Sequence, residues 1–449
     1  MFRNIRRSGK ALLSPDAWKI RILFWSGAVI VGLVASGFAI VSEHANQGFH
    51  RLVEISPYLP FVISPLGLML VAWLTTKYFP GSQGSGIPQS IAALEMVDHH
   101  SRSAVLSFRI AFGKILLTLL GLLSGASIGR EGPTVHIGAA VMFSLGRFAR
   151  FPHHYMDKGL ILAGGAAGIA AAFNTPLAGI LFAVEEMGRS FEERTSGVLI
   201  TAVFIAGITA IFIQGNYTYF GSTDATLQTS QFVLPILVCG VIGGLLGGLF
   251  STALIQGSRR LAPHMARRPA LVALACGLGI ATVGLLSDNS AYGTGYDQAR
   301  AIITGESSMP SSYPIMKLLA TIFSYLSGIP GGIFAPSLAT GAGLGAEIAN
   351  WLPASLPVSA IIILGMVGYF TGVVQTPITA FVIVMEMTDN QNLLLPLMAT
   401  AFVAYATSRL VCPNPIYREL ALSFLPRTAK PEKREQPAEA APPENSDER

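Results

Sequence analysis

Charge is what this chain has least of. Only 12% of its 449 residues are Asp, Glu, Lys or Arg, where a soluble domain carries about a quarter. With 51% hydrophobic residues and so little charge, a water-solvated surface is excluded and a polytopic membrane protein is indicated. Cysteine is almost as scarce. Cys239, Cys276 and Cys412 sit in or beside apolar segments without metal-ligand spacing, which argues against a disulfide framework or a zinc site and for small buried hydrophobes. The histidine pairs His99–His100 in "DHHSR" and His153–His154 in "PHHY" lie in polar stretches and read as solvated surface. No metal, no cofactor and no nucleic-acid partner is expected. A cleavable secretion signal is missing too, because the first twenty residues are polar and the apolar run after them is a full span.

Long runs nearly free of charge recur throughout: 22–41, 59–76, 159–184, 198–213, 232–255, 270–287, 358–385 and 392–410. Each is expected to cross about 30 Å of hydrocarbon as a helix. Basic residues mark cytoplasmic loops. By that rule segment 1–21, with Arg3, Arg6, Arg7, Lys10, Lys19 and Arg21, lies inside, as does "QGSRRLAPHMARRP" at 256–269. The stretch 214–231 has no Lys or Arg and reads as external, so 232–255 links the two sides. The chain reads as a membrane domain over 22–425, followed by a charged, proline-rich tail at 426–449 that is expected to be disordered and cytoplasmic. No regulatory C-terminal domain is expected.

The membrane part repeats itself. "SGASIGREGPTVHIGA" at 124–139 aligns with "SGIPGGIFAPSLATGA" at 327–342 at an offset of 203, and "NTPLAGILFAVEE" at 174–186 aligns with "QTPITAFVIVMEM" at 375–387 at an offset of 201. Two collinear matches point to a duplicated unit, about 22–213 and about 232–412. Duplicated transporter halves are often inverted, with the substrate site between them.

Three stretches share one design. "GSGIPQ" (84–89), "GREGPT" (129–134) and "GGIFAPS" (331–337) each put glycine ahead of a proline suited to the first helical position, where its missing N–H costs nothing. Each reads as a helix N-terminus, with unpaired N–H groups and partial positive charge. Several converging ends can hold an anion without a full cation. Irregular backbone at membrane depth is tolerated where it lines such a cavity.

In this order, and followed by "PIY" near the end, "GSGIP", "GREGP" and "GGIFAP" resemble the CLC family of chloride channels and chloride/proton antiporters. The likeness covers about 80–420. It implies an all-α membrane fold of two inverted repeats of tilted, partly re-entrant helices. It also implies a homodimer with one pore per subunit, embedded in membrane lipid with both termini cytoplasmic, as in a bacterial inner membrane. The selectivity filter would comprise Gly84, Ser85, Gly86, Ile87 and Pro88; Gly129, Arg130, Glu131, Gly132 and Pro133; and Gly332, Ile333, Phe334, Ala335 and Pro336. On this likeness Ser85 and Tyr417 donate hydroxyls to a central chloride, and the backbone N–H groups of Ile333 and Phe334 complete its shell. Neutral donors bind an anion weakly enough to release it. Gln89, where relatives often carry Glu, is expected to affect local hydrogen bonding alone.

Glu131 resembles the family's gating glutamate, which enters an anion site when ionised and leaves when protonated. Arg130 is expected to pair with backbone carbonyls or an acid, not with the anion. In "AVEEM", Glu185 matches Glu386 in the repeat, so these two read as parallel structural acids. Glu186 has Met387 opposite it, and antiporters of the family carry an acid there, where protons enter from the cytoplasm. Lys114 is expected to supply positive potential. The resulting expectation is secondary active exchange of chloride for protons, with a passive chloride channel as the alternative. An enzyme is disfavoured because no paired carboxylates or Ser/His constellation occur at membrane depth, and nothing resembles a sodium site.

Overall fold

The computed structural model describes residues 15–146, 153–188, 193–307 and 309–425. The basic residues Arg3, Arg6, Arg7 and Lys10, the tail 426–449, and the side chains of His153 and His154 lie outside them. In chain order the helices are α1 (Pro15–Ile55), α2 (Pro60–Tyr78), α3 (Ile87–Glu95), α4 (His99–Val105), α5 (Phe108–Leu123), α6 (Glu131–Leu145), α7 (His153–Phe173), α8 (Pro176–Phe182), α9 (Glu193–Gln214), α10 (Val233–Arg267), α11 (Pro269–Leu286), α12 (Tyr296–Thr304), α13 (Tyr313–Leu326), α14 (Phe334–Ala349), α15 (Val358–Val374), α16 (Pro377–Thr388), α17 (Leu394–Val411) and α18 (Ile416–Ala421). A π-helical turn, Ala183–Gly188, continues α8. Strand pairing among the described residues is limited to two isolated bridges.

Six stretches, among them Trp18–Ile55 and Pro269–Leu286, are long and apolar enough to cross a membrane. Five of the eight expected spans lie in these; the sixth stretch is His99–Leu123, 198–213 forms a shorter apolar helix, and the other two expected spans are broken. The run 159–184 ends α7 at Phe173 and restarts at Pro176, and 358–385 ends α15 at Val374 and restarts at Pro377. The break is the same in both: a left-handed residue (Asn174, φ 58°; Gln375, φ 58°), then Thr, then Pro opening the next helix. Hydropathy does not register the break because its residues are few, while proline excludes its predecessor from helical backbone. A second correction concerns 256–269: most of it is not a loop but the last turns of the 35-residue α10. The "DHHSR" stretch is also less solvated than expected, since His99 packs on Phe143 and pairs with Asp157 at 3.1 Å.

The halves face one another about a two-fold relation, visible in bonds between equivalent residues. Gly129 N–H donates to Gly332 C=O at 2.7 Å, and Gly332 N–H donates back to Gly129 C=O at 2.8 Å. Glu185 accepts from Ile378 N–H (3.1 Å) and Thr379 N–H (2.6 Å) at the start of α16, while Glu386 accepts from Leu177 N–H (3.2 Å) and Ala178 N–H (2.8 Å) at the start of α8. Such reciprocity is what a two-fold axis produces and a translation does not. Within each half, helices meet backbone to backbone through small residues. A Cβ on Gly138 of α6 would fall 2.2 Å from the Gly164 carbonyl of α7, and one on Gly365 of α15 would fall 2.4 Å from Gly345 Cα of α14.

Candidate functional site

The three glycine motifs are stitched together at the centre. Gly84 N–H donates to Ile329 C=O (3.0 Å), Gly331 N–H donates to Gly84 C=O (3.1 Å), and the Gly129–Gly332 pair closes the set. Gly84 (φ 65°) and Gly86 (φ 100°) are left-handed, a backbone that glycine adopts without strain. Behind the first loop, the buried Lys114 Nζ donates to Gly84 C=O at 3.1 Å, and His136 Nε2 lies 2.8 Å from Val105 C=O. The motifs do start α3, α6 and α14. Their prolines, however, take the second position (Pro88) or the third (Pro133, Pro336), not the first. That placement serves as well, because the first four N–H groups of a helix lack intrahelical acceptors.

Polar side chains converge on these ends. Ser85 Oγ and the Tyr417 hydroxyl are buried and face one another, and neither has any other hydrogen-bond partner among the described protein groups. The phenol faces Ser85, with Glu186, Tyr325 and Glu131 around it. Gly132 fits closely here: a Cβ on it would sit 2.2 Å from Ser85 Oγ. Ile333 directly precedes α14, and Phe334, its first residue, stacks on Tyr417 at 6.2 Å between centroids and meets Phe370 edge-on at 4.7 Å. Two buried hydroxyls thus meet beside the start of α14.

Glu131 lies on another side of the Tyr417 phenol. It is the first residue of α6 and fully buried. Its carboxylate lies beside the N–H groups of Glu131 itself and of Ala335. Oε1 accepts from the Tyr219 hydroxyl at 3.3 Å, whereas Oε2 has no hydrogen-bond partner. Gly129 makes room, since a Cβ there would lie 2.2 Å from Oε2. The adjacent Arg130 points away and donates from Nη1 to Ala39 C=O at 2.6 Å. Gln89 donates to Gly81 and Gln83 C=O at 3.0 and 2.6 Å.

Two cavities approach this centre. One, of about 460 Å³, ends at Gly84 and Ser85 and is walled by Leu261, Met265, Tyr325 and Phe424. The other, of about 250 Å³, is lined by Glu43, Arg130, Tyr217, Tyr219, Thr294 and Tyr296. Glu186 is buried in the π-helical turn, within electrostatic reach of the Tyr417 phenol. Glu185, its neighbour, is taken up in capping α16. The structure therefore gathers Ser85, Glu131, Glu186, Ile333, Phe334 and Tyr417 and leaves Arg130 outside. Sequence reasoning missed Tyr219. Its "NYTYFG" context, a polar loop with two tyrosines, carries no signal that one ring reaches Glu131.

Paired helix ends at the centre of two interlocked halves define a helical membrane protein with buried hydroxyls and carboxyls gathered at its centre. The chain matches the family described as voltage gated chloride channel over residues 67–409, and it belongs to that family. It is 32% identical over 471 aligned residues to a Cronobacter sakazakii protein named H(+)/Cl(-) exchange transporter ClcA, covering 98% of this chain and 97% of that one. A Yersinia pestis protein of the same name is 30% identical over 435 residues, covering 91% and 88%. In fold it superposes on a slow cyanobacterial Cl-/H+ antiporter with a TM-score of 0.80 at 24% identity, covering 93% of this chain and 99% of that one. A CLC-type fluoride/proton antiporter superposes with a TM-score of 0.76 at 24% identity, covering 90% and 98%.

Proposed function

We propose that the protein is a secondary active transporter that exchanges chloride for protons. The observation that carries this reading is the seat of Glu131, a carboxylate placed across the starts of α6 and α14, next to the buried hydroxyls of Ser85 and Tyr417. A carboxylate there is itself an anion in an anion site. Chloride entering from the second cavity must displace it, and protonation removes its claim on the helix ends. Anion movement and proton movement then share one side chain. Ser85, Tyr417 and the N–H groups of Ile333 and Phe334 hold the central chloride. Glu186, buried beyond Tyr417, passes protons to and from the other side. The relatives named as H(+)/Cl(-) exchangers support the substrates.

The cavity ending at Ser85 is the cytoplasmic one on this reading, because its wall belongs to the arginine-rich end of α10 (Arg259, Arg260, Arg267). The cavity above Glu131 is external, both termini are cytoplasmic, and two subunits with separate pores assemble in a bacterial inner membrane.

Flux from liposomes, followed with chloride and pH electrodes together, tests the assignment. Wild-type protein should drive protons uphill on a chloride gradient. Glu186→Gln should pass chloride without protons. Glu131→Ala should pass chloride passively with little pH dependence. Wild-type protein that moves chloride alone would turn the reading into a channel, and uphill proton movement by Glu186→Gln would remove Glu186 from the proton path.

A further inference from the structure

The external segment between the two halves reaches into the gate. Residues 215–228 are irregular, yet Phe220 N–H donates to Met387 C=O (2.9 Å), Thr223 N–H donates to Thr388 C=O (3.3 Å), and Asn390 Nδ2 donates to the carbonyls of Thr223 (2.8 Å) and Ala225 (3.0 Å). These bonds tie the segment to the end of α16 and hold Tyr219 inward. The Tyr219 ring is buried, edge-on to Phe173 (5.3 Å), Phe220 (4.8 Å) and Tyr296 (4.9 Å). Its hydroxyl donates to Glu131 Oε1 at 3.3 Å. The same residue lines the external cavity. A tyrosine clamped by three rings between that cavity and the gating carboxylate is placed to act on the carboxylate.

We propose that Tyr219 is a positioning residue that latches the gate: its hydroxyl donates to Glu131 Oε1 and holds the carboxylate across the helix ends, so that chloride and protons compete against this bond. This rests on the reading of Glu131 as the gate. The bond exists only while Oε1 is there to accept it, and it favours the ionised, seated carboxylate over the protonated, departed one. Phenylalanine at 219 keeps the ring and its packing and deletes the donor alone. The other titratable groups that interact with the carboxylate are Arg130, which caps α6, Tyr217 on the same loop as Tyr219 and Tyr417 on α18, while Tyr296 at the start of α12 faces Tyr219 and Glu43 on α1 faces Arg130. Tyr219→Phe leaves all of them in place.

The test reads Glu131 directly, without transport. In detergent-purified full-length protein the infrared carbonyl band of protonated Glu131 is assigned by its loss in Glu131→Gln and followed against pH. With the latch removed in Tyr219→Phe, the band should persist to a pH about one unit higher than in wild type, the low end expected for a hydrogen bond to a charged group. Chloride affinity by calorimetry at neutral pH should rise up to about tenfold in Tyr219→Phe, and the same substitution in a Glu131→Ala background should change nothing. Equal midpoints and affinities in wild type and Tyr219→Phe overturn the latch. So does an effect that survives in Glu131→Ala, which would mean that Tyr219 acts through packing. The exchanger reading stands or falls separately on the liposome experiment, because the infrared titration needs neither coupling nor flux.

Discussion

Ser85 and Gly132 show how little space separates the proposed anion site from a packed core. The Ser85 hydroxyl is buried with no protein partner besides the facing Tyr417 phenol, an arrangement that costs about 1–3 kcal/mol unless another group accepts from it. Gly132 keeps that hydroxyl exposed to the site, since any Cβ would lie 2.2 Å from Oγ. Gly132→Ala should therefore force Ser85 aside and lower chloride affinity by about tenfold, roughly 1.4 kcal/mol, with the helices intact by circular dichroism. Ser85→Ala should lower it by a similar factor. Calorimetric titration with chloride measures both, and unchanged affinity in both would remove the serine from the site. At the same scale, Lys114 is bonded to the Gly84 carbonyl and Arg130 to the Ala39 carbonyl. Both side chains thus hold the backbone around the proposed anion site.

At the scale of elements, short helices become functional parts because something caps them from across the molecule. α8 has seven residues and α16 has twelve, too few to span a bilayer, and their first N–H groups are satisfied by Glu386 and Glu185 of the opposite half. Thr379 adds its hydroxyl to Glu185 at 2.7 Å. Glu185→Ala or Glu386→Ala should each cost about 2 kcal/mol, as a charge-assisted cap does, and lower the melting temperature by about 2–4 °C. Thr379→Val should destabilise the wild type but add nothing to Glu185→Ala. Thermal unfolding of the detergent-purified variants measures this; equal melting temperatures for Glu185→Ala and wild type would mean that the cap is solvent-replaceable. A further equivalence lies in "GTGYD" at 293–297, which matches "GSGIP" at an offset of 209. Gly293 (φ 66°) and Gly295 (φ 80°) repeat the left-handed pair, α12 repeats the nine residues of α3, and Lys317 repeats Lys114 by donating to the carbonyls of Ala291, Tyr292 and Gly293. The chemistry is not repeated. Thr294 accepts from Tyr296 N–H at 3.3 Å, and Asp297 places an acid in the first turn of α12. Unlike Ser85, this side chain accepts from the first N–H of its own helix.

The whole molecule is two halves that complete one another. Gly129 with Gly332, Glu185 with α16 and Glu386 with α8 all cross the division, and so does Ser127 N–H to Ser324 Oγ at 2.8 Å. Neither half holds the site alone: Ser85 and Glu131 come from the first, Phe334 and Tyr417 from the second. Fragments 1–228 and 229–449, co-expressed in a bacterial membrane, should therefore associate and restore chloride flux, while either fragment alone should transport nothing. Co-purification through a tag on one fragment, followed by liposome flux, measures it. Fragments that fail to co-purify would show that the linking segment carries more of the assembly than these contacts.

Sequence by itself determined the class of fold, the duplication and the three glycine motifs, because these depend on local properties. Low charge forbids a water-facing surface, repeated order survives as repeated residues, and Gly ahead of Pro sets a helix start wherever it occurs. The pairing of Glu185 with Glu386 was legible from their alignment, but not that each would cap the helix of the other's half. Tertiary structure decided what depends on distance between remote parts of the chain. The breaks at Asn174 and Gln375 turn on two residues inside apolar runs that hydropathy averages away. Tyr219 reaches Glu131 from 88 positions later in a loop whose composition says only that it is polar. Of the two glycine-rich loops that duplication supplied, the Ser85 hydroxyl meets Tyr417 from the opposite half whereas the Thr294 oxygen accepts from the N–H of Tyr296 on its own loop, and which partner each side chain finds is a matter of tertiary distance that no spacing in the sequence records.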